Sequence, residues 1–107
     1  MEWVALKVYN KAVRDRIPEI IRDSGQRCET RSLSDAEYLP ELEKKLGEEL
    51  DEYLKSGSLE ELADILEVVH RIAELRESNF NEVDEIRLEK KVKRGGFEGN
   101  IFLVEVY

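Results

Sequence analysis

Between Ser34 and Leu75 apolar side chains return every three or four residues, and the spacing is broken once, at Ser56-Gly57-Ser58. Leu39, Leu42, Leu46, Leu50 and Tyr53 draw one stripe. Leu62, Ile65, Leu66, Val68, Val69, Ile72, Ala73 and Leu75 draw a second, wider one. Stripes of this period are buried by helices, so two long helices are predicted, each opened by a capping box: S-D-A-E at Ser34 and S-L-E-E at Ser58. The break between them has room only for an antiparallel hairpin.

Around this hairpin the remaining elements are short. Pro18 suits a first helical turn and Gly25 a helix stop, which predicts a helix from about Ile17 to Ser24. QRCETRSL alternates weakly, as a strand or an extended loop does. After a turn at Ser78 to Asn81, NEVDEIRLEKKVK forms a last helix with basic residues in its final turn and Gly95-Gly96 at its end. The flanking segments EWVALKV (2 to 8) and FEGNIFLVEVY (97 to 107) are apolar and β-prone, and are expected as short β-like arms. Trp3, Tyr9, Phe80 and Phe97 are expected as packing residues, and His70 falls on the polar side of its helix. The fold expected is a mainly α bundle of about four helices in a single domain spanning 1 to 107, a length that suits one core.

Composition narrows the function. Seventeen Lys and Arg against 25 Asp and Glu give a formal charge of −8, which disfavours a nucleic acid polymer as partner. One cysteine, Cys28, and one histidine exclude a disulfide within the chain and a Cys- or His-rich metal cluster. No apolar run approaches the ~18 residues of a membrane span and Met1 to Asn10 carries no leader pattern, so a cytoplasmic protein with no membrane partner is expected.

The acids of the hairpin break its pattern. With Leu46 at zero and about 100° per residue, Glu49 lies about 60° from the centre of the apolar stripe and Glu52 about 120°. Glu48 and Asp51 fall on the wet side. On the second helix Glu61 falls between Val68 and Ile72, and Asp64 where the apolar arc ends. Unpaired carboxylates against a core are costly and need a cation, a hydrogen-bond network or a raised pKa. Two i,i+3 acid pairs on the strokes of one hairpin can converge. Glu49, Glu52, Glu61 and Asp64 then form a hard-oxygen set suited to Mg²⁺, with Mn²⁺ as the alternative. The plain reading is also open: Glu61 is the third residue of its capping box, and Glu49 and Glu52 have Lys45 and Lys55 at helical spacing.

The run E-E-L-D-E (48 to 52) followed by E-L-A-D (61 to 64) resembles the all-α nucleoside triphosphate pyrophosphohydrolases, the superfamily of MazG-like proteins and phosphoribosyl-ATP pyrophosphohydrolase. YNKAVRDRIP (9 to 18) and KVKRGGF (91 to 97) resemble the opening and closing blocks of a small house-cleaning branch of that superfamily. Eight residues separate Glu52 from Glu61, fewer than is usual in MazG-like members. The resemblance implies Glu49, Glu52, Glu61 and Asp64 as metal ligands and a nucleotide substrate cleaved to monophosphate and pyrophosphate. Of the acids, Glu49 and its neighbour Glu48 are the candidates for catalytic work on the attacking water. Lys11, Arg14, Arg16, Lys91 and Arg94, which lie in the two flanking blocks, are the candidates for holding phosphate; a helix-end ion pair is the alternative for each.

Three readings of function follow. The first is a Mg²⁺-dependent nucleoside triphosphate pyrophosphohydrolase. The second keeps this chemistry but acts on phosphoribosyl-ATP in histidine biosynthesis, and the third is a non-catalytic acidic helical module that docks a basic partner. A homo-oligomer, a dimer or larger, is expected because the apolar surface of the 59 to 77 helix exceeds what its neighbours can cover, and because the superfamily it resembles builds sites across bundled subunits.

Overall fold

The computed structural model describes residues 7–107. Four helices follow in order: α1 (Ile17–Asp23), α2 (Asp35–Ser56), α3 (Leu59–Leu75) and α4 (Phe80–Arg94). No strand occurs among the described residues, and no helix among them is long and apolar enough to cross a membrane.

The punctuation of α2 is that of the sequence. Ser34 Oγ accepts from the Glu37 amide at 3.2 Å, and the Glu37 carboxylate accepts from the Ser34 amide, also at 3.2 Å. These bonds satisfy two of the helix's orphan donors. The Ser34 side chain, then its backbone amide, holds the Glu37 carboxyl below its ordinary range. At the other end Gly57 turns into the left-handed region at φ 65°, and its N–H donates to the Tyr53 carbonyl at 2.7 Å.

The second capping box does not close. Ser58 Oγ accepts from the Glu60 amide at 3.1 Å, and the Ser58 amide donates to Ser56 Oγ at 3.2 Å, so Glu61 has no amide left to cap. Its carboxylate turns toward α2 instead.

α2 and α3 pack along one another as an antiparallel hairpin. Ion pairs from Arg71 to Asp35 at 3.7 Å and from Arg76 to Glu43 at 3.6 Å join the start of α2 to the end of α3. Ala12, Leu42 and Val68 form the core, with Tyr38, Leu46, Ile72 and Leu75 packed around them. Ala12 brings the segment before α1 across the hairpin, and this placement carries Lys11 and Arg14 to the acids.

α3 stops without a glycine. The Ser78 amide donates to the Ala73 carbonyl at 2.9 Å and the Glu77 amide to the Glu74 carbonyl at 3.0 Å, the two bonds of a Schellman motif. Its left-handed position is held by Glu77 at φ 60°, where an L side chain is strained. Glu77→Gly is expected to raise stability by about 1 kcal/mol, measured as a higher urea midpoint at unchanged slope. A midpoint at or below that of the native chain would remove the strain argument.

Asn79 then caps α4, its Oδ1 accepting from the Glu82 amide at 2.9 Å. Phe80 stacks on His70 with ring centroids 3.9 Å apart, so the exposed histidine serves the α3–α4 corner.

One expectation needs correction. Residues 97–107 form no strand, because a strand needs a neighbour's backbone to pair with and the described chain offers this segment none. Residues 26–33 take the extended loop that the sequence left open beside a strand. Residues 2 to 6 of the first arm, with Trp3, lie outside the described residues; Lys7 and Val8 are irregular and exposed. Phe80 packs as expected, whereas Phe97 is 97% exposed and Tyr9 is mostly exposed beneath Lys7 and Lys11.

Candidate metal centre

Glu49 comes from α2, one residue off the line of its apolar stripe, and Glu61 and Asp64 come from the first turns of α3. The hairpin turn at Gly57 brings them side by side. One carboxylate oxygen from each lies within 4.8 Å of those of the other two. Oxygens around one Mg²⁺ at ~2.1 Å stand about 3–4 Å apart, so small side-chain rotations reach a common centre.

Glu49 is only 5% exposed, the one charged residue in the core of the described chain. Its Oε1 forms an ion pair with Lys45 at 3.3 Å, while Oε2 is buried with no hydrogen-bond partner. A buried carboxylate oxygen without a donor costs on the order of 1–3 kcal/mol, more when charged. Hard oxygen donors converging beside an unsatisfied one fit a divalent cation, so the residues present suit the ion that the sequence resemblance implies.

Glu61 reports the same crowding. Partial burial raises its carboxyl above the ordinary value; the Glu52 charge, a hydrogen bond shared with Glu52, and the charges of Asp64 and Glu49 add to the shift. Glu52 is therefore a neighbour of the cluster without being one of its three converging groups. It is exposed at the rim, as expected of a residue about 120° from the stripe.

Glu48 departs from its expected wet placement. It is half-buried because Lys11 and Lys45 cover it, at 2.7 and 3.5 Å. The hydrogen bond from Lys11 is the main reason its carboxyl sits below the ordinary range, and the same bond raises Lys11. Arg14 donates to Asp64 at 2.6 Å. Five carboxylates, Glu48, Glu49, Glu52, Glu61 and Asp64, thus face three cations, Lys11, Arg14 and Lys45.

The other basic candidates lie elsewhere. Arg16 pairs with Glu19 at 3.0 Å on α1, the helix-end alternative named for it. Lys91 pairs with Glu98 at 3.2 Å, and Lys91 and Arg94 line a separate cleft at the end of α4 with Arg87, Lys90 and Phe97. Neither is in contact with the acids in the single chain. Lys45 belongs to the site although it is absent from the phosphate-holding candidates; its signal in the sequence was its spacing of three and four from Glu48 and Glu49.

Comparison with known proteins adds a local likeness. Over 40 residues, 37% of this chain and 41% of the relative, the sequence is 58% identical to a protein of Mycolicibacterium smegmatis (strain ATCC 700084 / mc(2)155) described as an uncharacterized protein. The match thus spans less than half of either protein. No family model and no solved structure matches the chain.

Proposed function

We propose that this protein is a Mg²⁺-dependent nucleotide pyrophosphohydrolase, cleaving a nucleoside triphosphate or a related nucleotide to monophosphate and pyrophosphate. The observation that supports this most is the buried, unpartnered Glu49 Oε2 inside a cluster of three converging carboxylates. The sequence blocks at 9 to 18, 48 to 64 and 91 to 97 supply the reaction class by resemblance.

Glu49, Glu61 and Asp64 would hold the ion, with Glu52 at the rim. A bound divalent cation supplies charge neutralisation on the phosphate oxygens and a more acidic water. The chain's own residues do the rest. Lys11 and Arg14, carried over the hairpin by Ala12, supply positive charge beside the acids, and the Arg14 fork can grip a phosphate with two parallel hydrogen bonds. Glu48 stays ionised because Lys11 and Lys45 hold its proton off, which suits an anchor for Lys11 better than a proton acceptor. In the overall reaction the water oxygen bonds to the α-phosphorus, the bridge to the β-phosphate breaks with its electrons leaving on pyrophosphate, and the water proton passes to solvent.

The test is pyrophosphate release over a panel of ordinary and modified nucleoside triphosphates, with phosphoribosyl-ATP included, in Mg²⁺ or Mn²⁺. Release with equimolar monophosphate is expected for at least one. Turnover confined to phosphoribosyl-ATP would move the role to biosynthesis. No release from any member, in protein that binds Mg²⁺ or not, would reject the enzyme and favour the docking module.

A further inference from the structure

The segment before α1 brings two cations to the acids, and they take different partners there. Lys11 bonds Glu48, which is not one of the three converging carboxylates. Arg14 bonds Asp64, which is one of them, with Nη2 2.6 Å from Oδ1. Glu49 is paired too, but Lys45 meets its Oε1 alone and Oε2 keeps no donor. A guanidinium and a divalent cation on one carboxylate repel each other, so Arg14 and an ion held by Asp64 compete.

The Arg14 side chain can leave Asp64 while its backbone stays in place. Ala12, two residues before it, is buried against the hairpin, and the Arg14 carbonyl accepts from the Ile17 amide at 3.0 Å in the turn that enters α1. The side chain itself is more than half exposed and uses a single N–H of its fork on Asp64. An exposed pair made through one bond is weak, whereas a guanidinium on phosphate can make two parallel bonds to a more highly charged group. Neither exchange is favourable alone. An ion that takes Asp64 leaves Arg14 without an anion, and a phosphate that takes Arg14 leaves Asp64 without a cation.

We propose that Arg14 is a latch on the acid site: it holds Asp64 until a divalent cation takes that carboxylate, and the released guanidinium then grips the phosphate that follows. The latch rests on the reading of Glu49, Glu61 and Asp64 as the ion's ligands and adds the regulation of that site. Its consequence is a coupling between two ligands. Ion and phosphate each bind more tightly when the other is present, and part of that coupling runs through one side chain. A residue that only held phosphate would leave binding of the ion alone unchanged.

Calorimetric titration of full-length protein tests this, with Mg²⁺ alone and then with inorganic pyrophosphate at saturating Mg²⁺. Arg14→Gln is expected to tighten Mg²⁺ alone about 5-fold and to weaken pyrophosphate by about 10-fold or more. A variant that had lost its fold would lose both. Arg14→Lys keeps the charge and gives up the fork, so it should bind Mg²⁺ as the native chain does and pyrophosphate less tightly. Lys11→Gln removes the same charge from Glu48 and should tighten Mg²⁺ far less. In ¹⁵N spectra of the native protein the Arg14 side-chain signal, identified by its loss in Arg14→Gln, should move with Mg²⁺ and again with pyrophosphate. Mg²⁺ affinity unchanged or weaker in Arg14→Gln, or equal tightening in Lys11→Gln, would overturn the latch; if Asp64→Asn abolishes Mg²⁺ binding in the same series, the acid site itself stands. Mg²⁺ bound by Asp64→Asn as tightly as by the native chain would instead take the ion away from these acids, and the proposed function with it.

Discussion

Under the proposed function, Asp64→Asn and Glu49→Gln are each expected to lower Mg²⁺-dependent pyrophosphate release by about 100-fold or more, with helical content unchanged. The two sites differ in what the loss teaches. Asp64 is half exposed and already paired with Arg14, so its amide removes a charge and little packing. Glu49 is buried, and its amide brings two N–H donors where an orphaned oxygen stood. The circular dichroism spectrum separates chemistry from folding in both. Activity in either variant within a few-fold of the native protein would dismiss the carboxylate cluster as the catalytic centre.

If the acid cluster binds Mg²⁺ as proposed, the ion at 100 times its dissociation constant is expected to add about 2.7 kcal/mol to folding stability, which is roughly 10–20 °C in melting midpoint for a domain of this size. The increment depends on pH with a definite sign. Glu61 titrates above its ordinary value, so the folded chain holds that proton more tightly than the unfolded chain does. Without the ion, Glu61 favours the folded state more as pH falls through the raised value. The ion must then displace the proton. Stabilisation by Mg²⁺ is therefore full at neutral pH and shrinks on acidification before the ordinary glutamate range is reached. Glu61→Gln removes a crowded carboxylate, so it abolishes the increment without lowering the metal-free midpoint. A Mg²⁺ shift of equal size in Glu61→Gln and in the native chain would show that the ion binds elsewhere.

Local signals carried the helix ends. Pro18, the Ser34–Glu37 box, Gly57 and Gly95 each act through bonds within a few residues, and α1, α2 and α4 begin or end where these residues place them. The S-L-E-E box at Ser58 shows the weakness of the same reasoning. Its residue types permitted a closed cap, but the Ser56 hydroxyl took the Ser58 amide, and Glu61 was left to the acid cluster. The α3 stop carried no glycine to announce it, because Glu77 accepts the strained conformation.

Helical phase was enough to single out Glu49 as an acid against the apolar stripe and Glu61 and Asp64 as its partners across the turn, since period and turn length are properties of the chain alone. Phase was silent on neighbours distant in sequence. That Ala12 packs on Leu42 and Val68, setting Lys11 on Glu48 and Arg14 on Asp64, depends on contacts 37 and 50 residues apart. The same tertiary contacts brought Glu48 in from its wet face, left Lys91 and Arg94 at the far end of α4, and denied Ile101–Tyr107 a strand to pair with. A side chain's period follows from its own helix; its charge partner is chosen by whichever segment the core draws across it.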